Sequence, residues 1–368
     1  MSPLCARRSF ILGSLPSRSQ RGVHVSITDI QEHLPEASHR RSAHEEPATK
    51  LTPMAGRARP PVRMVGATAH IDGRRWRYAI SDNEPAGRGA HQIWAVNIHG
   101  YFAAGGMYWR ESARLARRLG WRVLNPSLPG FGGSDPLSWS ELSMSALSDG
   151  IGELLDHVGA QSAVILGHSM GGAVAVQFAA DHPDRTLGSV YRDGAATSAW
   201  KRRRGFVVRS LAPFIPDFAA LVDILGATAL DFPDIVVGRL TSTLRSIIPD
   251  ARRNVRSLGR ALPVGAMLIA TDLTDKVAHL AAAPDHIPVL PVWGCFDRIT
   301  HARTADEFER ISGEHVIWVP GGHSWMLARP ETQPDVLIHH PRGQQFVRQV
   351  ALRAAHLRRA RRARPDRR

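Results

Sequence analysis

A serine boxed by glycines, Gly167-His168-Ser169-Met170-Gly171, stands where the apolar run "AVIL" ends and the helix-like run "MGGAVAVQFAADHP" begins. A hydroxyl at the passage from strand to helix fits the G-x-S-x-G arrangement, which carries a nucleophile on a sharp, strained turn. Such a turn leaves no room for side-chain carbons two residues to either side, hence Gly167 and Gly171. Gly172 would let the helix pack close to the sheet. The turn lifts Oγ to the helix N-terminus, where backbone N–H groups and the helix dipole favour negative charge.

Serine is a weak nucleophile unless a base takes its proton and an acid holds the base. Asp297 follows the strand-like "PVWGCFD", and His323 lies in "PGGHSW" behind the strand-like "HVIWV". Among 18 histidines, His323 stands out by its glycine-rich loop after the last strand. Asp193, behind "LGSVYR", is a rival acid because its strand also ends near the site. His168 should point away from Ser169 Oγ and shape the turn. Cys295 reads as a filler at a strand end. An oxyanion needs two donors. Met170 N–H comes with the turn, and Tyr101 N–H is expected to face the site if His99-Gly100 in "HGYFAAGG" turns the chain. Losing one such donor typically costs ~3 kcal/mol of transition-state stabilisation.

These loops need a scaffold that brings strand ends together. From Val65 the chain alternates strand and helix patterns: a hairpin around Asp72-Gly73, the strand "IWAVNIHG", the amphipathic helix "MYWRESARLARRLG", and so on to "LGSVYRDG". Alternation of this kind gives right-handed βαβ units and a mostly parallel sheet flanked by helices. It pauses over residues 196–283 and resumes with "VLPVWGCFD", "ARTADEFERISG", "HVIWVPGG" and a closing helix. The expected division is a disordered basic arm, 1–64; a core, 65–195 and 284–355; an inserted helical lid, 196–283; and an Arg-rich tail, 356–368, that continues the last helix. The lid stretch 206–232 is apolar and broken by Pro213 and Pro216, which suggests short helices over an apolar pocket.

The chain of 368 residues carries a formal charge of +14, and its location matters more than its size. Residues 1–64 hold 10 Lys/Arg against 5 Asp/Glu, residues 342–368 hold 10 against 1, and the span between is balanced at 27 each. A nucleic-acid-binding body should be basic in its folded part, so nucleic acid is not an expected partner. Within the neutral span, residues 196–263 carry 11 basic and 5 acidic side chains, with Lys201-Arg202-Arg203-Arg204 as one run. A cationic lid would favour anionic membrane surfaces or acidic substrates at low salt. The motif "ARRSFILG" is similar to a twin-arginine export signal, but Pro16, Arg18 and Arg21 end its apolar run early. No segment has the ~18 apolar residues of a membrane span. A cytoplasmic protein with peripheral membrane contact is the expectation. Two cysteines are too few for a disulfide framework or a thiolate metal site.

Taken together, "HGYFAAGGMYW", "LPGFGGSD", "GHSMGG", "WGCFD" and "GGHSWMLARPE" resemble the α/β-hydrolase superfamily, over residues 65–355 and in the order of its lidded serine esterase and lipase branch. The motifs are also similar to those of carbon–carbon bond hydrolases and cofactor-free haloperoxidases. The resemblance implies Ser169 as nucleophile, Asp297 as acid, His323 as base, Tyr101 and Met170 as oxyanion donors, and no metal or organic cofactor. One departure is Ser127, where relatives usually carry aspartate. Haloalkane dehalogenases and epoxide hydrolases use an aspartate nucleophile, so Ser169 argues against both. Three functions stay open: hydrolysis of an apolar carboxylic ester, carbon–carbon cleavage or perhydrolysis with the same triad, and ligand binding without turnover.

The first sixty-odd residues show no period of 2 or 3.6 that would bury a face. Deletion of residues 1–63 should therefore leave the melting temperature and the activity nearly unchanged. A large fall in melting temperature would show that the arm is part of the fold.

Overall fold

The computed structural model describes residues 61–83, 92–200, 240–256 and 258–363. The arm up to residue 60, the run Lys201–Arg204 and the expected lid helices within 206–232 lie outside the described residues.

The hairpin forms as expected: β1 (Met64–Ile71) and β2 (Arg74–Ser81) turn through Asp72 and Gly73, with φ of 49° and 71°. Positive φ at both central residues gives the twist that a two-residue hairpin needs. β1 starts at Met64, where the expected arm ends. Four parallel strands follow, β3 (Trp94–Ile98), β4 (Arg122–Pro126), β5 (Ala163–His168) and β6 (Thr186–Arg192), then β7 (Val289–Gly294) and β8 (Ile317–Val319). The eight-stranded sheet has the order β1-β2-β4-β3-β5-β6-β7-β8, parallel except for the two pairings of β2.

Helices cover both faces because both faces of the central strands are apolar. On one face α1 (Trp109–Leu119) and the closing α10 (Pro341–Ala363) pack on Ala95, Val123, Leu166 and Val190. On the other, α2 (Met144–His157), α3 (Met170–Asp181) and α7 (Ala302–Ser312) pack on Val96, Leu124, Ile165 and Tyr191. The boundaries obey the sequence signals. Ser143 caps α2 by accepting from Ala146 N–H, and Gly120 and Gly313 end α1 and α7 in left-handed conformation. Among the described residues three helices, α4 (Leu240–Arg256), α5 (Leu258–Ala270) and α6 (Thr274–Ala282), lie between β6 and β7. Two four-to-eight-residue helices, α8 (Trp325–Ala328) and α9 (Thr332–His339), lead into α10, which is continuous to Ala363.

A charged cluster that no sequence motif announces lies under the sheet. Arg192, at the end of β6, is 0% exposed and reaches Glu111 of α1 at 2.7 Å. Its second amino group donates to Asn97 Oδ1 of β3 at 2.6 Å and to Leu166 O of β5 at 3.3 Å. Asn97 in turn donates to Glu111 and to Ser112, whose hydroxyl donates to Asn125 of β4. One ion pair thus ties four strands and a helix directly beneath the strand ends that carry Ser169 and Asp193. Removing one partner of a buried pair leaves the other charge unpaired and typically costs ~3–5 kcal/mol. Glu111→Ala should lower the unfolding free energy by about that much. Glu111→Met with Arg192→Met should recover most of it, as read from urea midpoints at constant slope.

Candidate active site

Ser169 sits between β5 and α3 with φ 53° and ψ −116°, a conformation that a non-glycine residue rarely holds. Strain of this kind costs roughly 1–3 kcal/mol and persists only where the surroundings enforce it. They do so through the main chain: Ser169 N–H donates to Arg192 O at 3.0 Å, and Ser169 O accepts from Gly172 N–H at 2.9 Å and Ala195 N–H at 3.1 Å. The glycine reading holds in numbers. A Cβ on Gly167 would lie 2.2 Å from Gly171 O, and one on Gly171 would lie 2.4 Å from Ile98 O.

His323 and Asp297 meet as the sequence suggests. Nδ1 of His323 lies 2.8 Å from Asp297 Oδ2, and both residues are buried. The sequence reading missed what orients the carboxylate. Its Oδ1 accepts from Ile299 N–H at 2.7 Å and Thr300 N–H at 2.9 Å, and Thr300 Oγ1 lies 2.5 Å from Oδ2. The spacing "D-R-I-T" was the available signal, since an aspartate commonly accepts from N–H groups two and three residues on. Burial pushes the Asp297 carboxyl up, but the charge and hydrogen bond of His323, with the Thr300 hydroxyl, hold it below the usual carboxylate range.

Asp193 is beside them. Its carboxyl oxygens, those of Asp297 and the His323 ring nitrogen include one set lying within 4.8 Å of one another. Oδ1 accepts from Gly294 N–H at 2.8 Å and Oδ2 from Trp325 Nε1–H at 2.5 Å. Burial first, and the Asp297 charge second, raise its pKa well above the usual value. Two buried carboxyls this close share one negative charge. The His323 contact assigns that charge to Asp297.

The loop after β3 passes against Ser169. A Cβ on Gly100 would lie 3.2 Å from Ser169 Cβ. Its neighbour His99 is buried and pinned, with Nδ1–H donating to Gly100 O at 2.8 Å and Nε2 accepting from Leu128 N–H at 2.9 Å. Burial pushes the His99 pKa down to about 4, so the ring is neutral near pH 7. Ser127, the departure from the resembled pattern, accepts from Gly105 N–H at 3.2 Å and so joins this loop to the end of β4. The helices between β6 and β7 dock on the same loop: Asn254 Nδ2 donates to Phe102 O at 2.8 Å, and Tyr101 Oη donates to Ala261 O at 3.0 Å. The two ring nitrogens of His168 face Tyr108 Oη and the His323 carbonyl.

Residues 96–330 match the family described as the alpha/beta hydrolase fold. The chain belongs to that family. A Mycobacterium phage D29 protein that carries the name of a non-heme haloperoxidase is 29% identical over 250 residues, 66% of this chain and 85% of its own. A pimeloyl-acyl-carrier-protein methyl ester esterase of Neisseria meningitidis serogroup B is 29% identical over 253 residues, 64% of this chain and 87% of its own. Among solved structures, a thermophilic esterase from Thermogutta terrifontis superposes with TM-score 0.54 at 23% identity, over 78% of this chain and 99% of that one. This α/β hydrolase is therefore an enzyme with esterase relatives, and among its described residues no helix is long and apolar enough to cross a membrane.

The hydrolase offers a direct test of its turn geometry. Alanine is worth up to ~1 kcal/mol more than glycine in a helix. Gly259→Ala, where an added Cβ meets nothing within 4 Å, should gain part of that. Gly171→Ala should instead lose ~2 kcal/mol or more, because its Cβ would collide with the β3 backbone. Thermal and urea unfolding of the two variants check the sign difference.

Proposed function

We propose that this α/β hydrolase cleaves a carboxylic ester of an apolar substrate through an acyl-enzyme formed on Ser169. The observations that carry the reading are the buried Asp297–His323 pair, the His323 carbonyl held by the ring of His168, and the residue after His168, Ser169, held at positive φ on a helix N-terminus. Support also comes from the esterase relatives. A donor–acceptor contact at Nδ1 fixes the tautomer of His323 and leaves Nε2 to act as the base. Nε2 takes the Ser169 proton as Oγ attacks the carbonyl carbon, and the tetrahedral oxyanion is held by the N–H groups of Tyr101 and Met170. The same proton passes to the leaving alcohol as the acyl bond to Ser169 is kept. Water then gives a proton to Nε2, attacks the acyl carbon and releases the acid and the restored serine.

An apolar acyl or alcohol group fits the surroundings. Ala261, Val264 and Leu268 of α5 belong to the same buried apolar cluster as Met170, Phe131 and Ile299. The helices between β6 and β7 would then act as a lid, with Asn254 and Tyr101 as its fastening to the oxyanion loop.

Ser169→Ala, His323→Ala and Asp297→Asn should each reduce hydrolysis of p-nitrophenyl esters by roughly 10⁴ to 10⁶. Asp193→Asn should cost less than Asp297→Asn, because it removes no charge from the His323 pair, although the amide NH2 cannot accept as the carboxyl oxygen does from Trp325 Nε1–H or Gly294 N–H. A fluorophosphonate should label Ser169 and leave Ser169→Ala unlabelled. Full activity in Ser169→Ala would sink the mechanism. A severe Asp193→Asn with a mild Asp297→Asn would move the acid to Asp193. Esters of increasing chain length would define the acyl preference and separate ester cleavage from carbon–carbon cleavage or perhydrolysis.

A further inference from the structure

Tyr108 and His168 are 1% and 3% exposed and form a polar chain beside the nucleophile. Tyr108 Oη lies 2.6 Å from His168 Nδ1 and 3.3 Å from Gly100 N, and His168 Nε2 lies 2.9 Å from His323 O. The role of every atom follows from its neighbour. A carbonyl oxygen only accepts, so His168 Nε2 carries a hydrogen. A neutral imidazole then has a bare Nδ1, which must accept. Tyr108 therefore gives its hydroxyl hydrogen to Nδ1, and its lone pair receives Gly100 N–H. The chain runs in one direction: Gly100 N–H to Tyr108, Tyr108 O–H to His168, His168 Nε2–H to the His323 carbonyl. Burial first, then the neighbouring His323 and Arg192, hold the His168 pKa well below its ordinary value, which keeps the ring neutral.

The three groups so connected start far apart. Gly100 follows β3 and Ser169 follows β5, which are neighbours, but His323 follows β8, three strands beyond β5. At ~4.8 Å per strand the His323 loop must reach back about 14 Å over the sheet. Its ring is held by Asp297, and its backbone by His168. The two imidazoles stand with centroids 4.7 Å apart. A charged His168 at that distance would oppose the imidazolium that His323 becomes.

We propose that Tyr108 and His168 are positioning residues whose one-way hydrogen-bond chain fastens the oxyanion loop and the His323 backbone to the nucleophile turn. The proposal rests on the serine-hydrolase reading for its kinetic test, though not for its tautomer assignment.

Steady-state hydrolysis of a p-nitrophenyl ester by His168→Leu, His168→Gln and Tyr108→Phe, with melting temperatures, tests it. Misplacement by an ångström or less can cost up to about 10²-fold. His168→Leu and Tyr108→Phe should lower kcat by about 30- to 100-fold with KM within about threefold. His168→Gln, whose amide can both donate to His323 O and accept from Tyr108, should recover about tenfold of the leucine loss. Unchanged kcat in His168→Leu, or equal losses in the leucine and glutamine variants that follow melting temperature, would overturn it. Should those variants fail to fold, ¹⁵N-histidine-labelled wild-type protein at pH 7 decides. The ring that cross-relaxes with Tyr108 should show a slowly exchanging Nε2–H and a bare Nδ1, and an Nδ1–H or cationic ring overturns the chain. A wild type that neither turns over esters nor reacts with the fluorophosphonate would defeat the serine-hydrolase reading instead, leaving the tautomer result to stand by itself.

Discussion

The backbone conformation of Ser169, φ 53°, is the constraint around which the molecule is arranged. An isolated chain would relax it. In the fold it is enforced from below by the Gly167 and Gly171 contacts and from the side by the end of β6, whose Arg192 carbonyl accepts from Ser169 N–H. The same Arg192 sends its guanidinium under the sheet to Glu111, Asn97 and Leu166 O. A residue whose carbonyl restrains Ser169 and whose side chain is clamped at three points cannot drift with the loop. That combination explains a buried ion pair in a place where an apolar residue would pack at lower desolvation cost. Arg192 Nε finds no acceptor, so the clamp is not complete, and its role is better seen in rigidity than in net stability.

Immediately above that clamp the electrostatics change sign. Asp193 and Asp297 bring two carboxyls into a buried space that tolerates one charge. Their partners divide the roles. Asp297 faces an imidazole, two backbone N–H groups and a hydroxyl, all of which favour its ionised form. Asp193 receives one backbone N–H and the Trp325 indole, yet has no cation, and it takes the proton. A neutral Asp193 joins the end of β7 to the residue after the His323 loop. The loops of Asp297 and His323 are thus braced against each other by a group that carries no charge itself.

The sheet, its flanking helices and the three strand-end loops were legible in the sequence because each rests on local patterns: period-2 and period-3.6 hydrophobicity, caps such as Ser143 and Gly120, and glycines where a Cβ has no room. Asp297 and His323 could be read from their places behind strands. What stayed hidden were the distant polar partners that surround them. Glu111 looks like an ordinary charge on an amphipathic helix, but it is wholly buried because Arg192, 81 residues on, neutralises it. Tyr108 and Trp325 look like core aromatics until their polar atoms are paired with His168 and Asp193. Asn254 gives no signal at all. It meets Phe102 and Ala103 only because an insertion folds back over the β3 loop. Long-range polar pairing depends on register and topology, which hydrophobic periodicity fixes only to within an element.

The three histidines around Ser169 show how one residue type is given different work by its neighbours alone. His99 and His168 are buried without a carboxylate, so desolvation removes their charge. Each then becomes a fixed donor and acceptor of opposite tautomer, His99 with its hydrogen on Nδ1 toward Gly100 O and His168 with its hydrogen on Nε2 toward His323 O. His323 alone of the three has a carboxylate at hydrogen-bond distance, 2.8 Å from Nδ1. A carboxylate placed against His168 instead would make a second paired imidazole one residue from Ser169. Tyr108 there, a donor that stays neutral because burial raises its own pKa, prevents it. In the mechanism proposed, the selectivity for a single proton carrier therefore resides in what surrounds the two silent histidines as much as in Asp297.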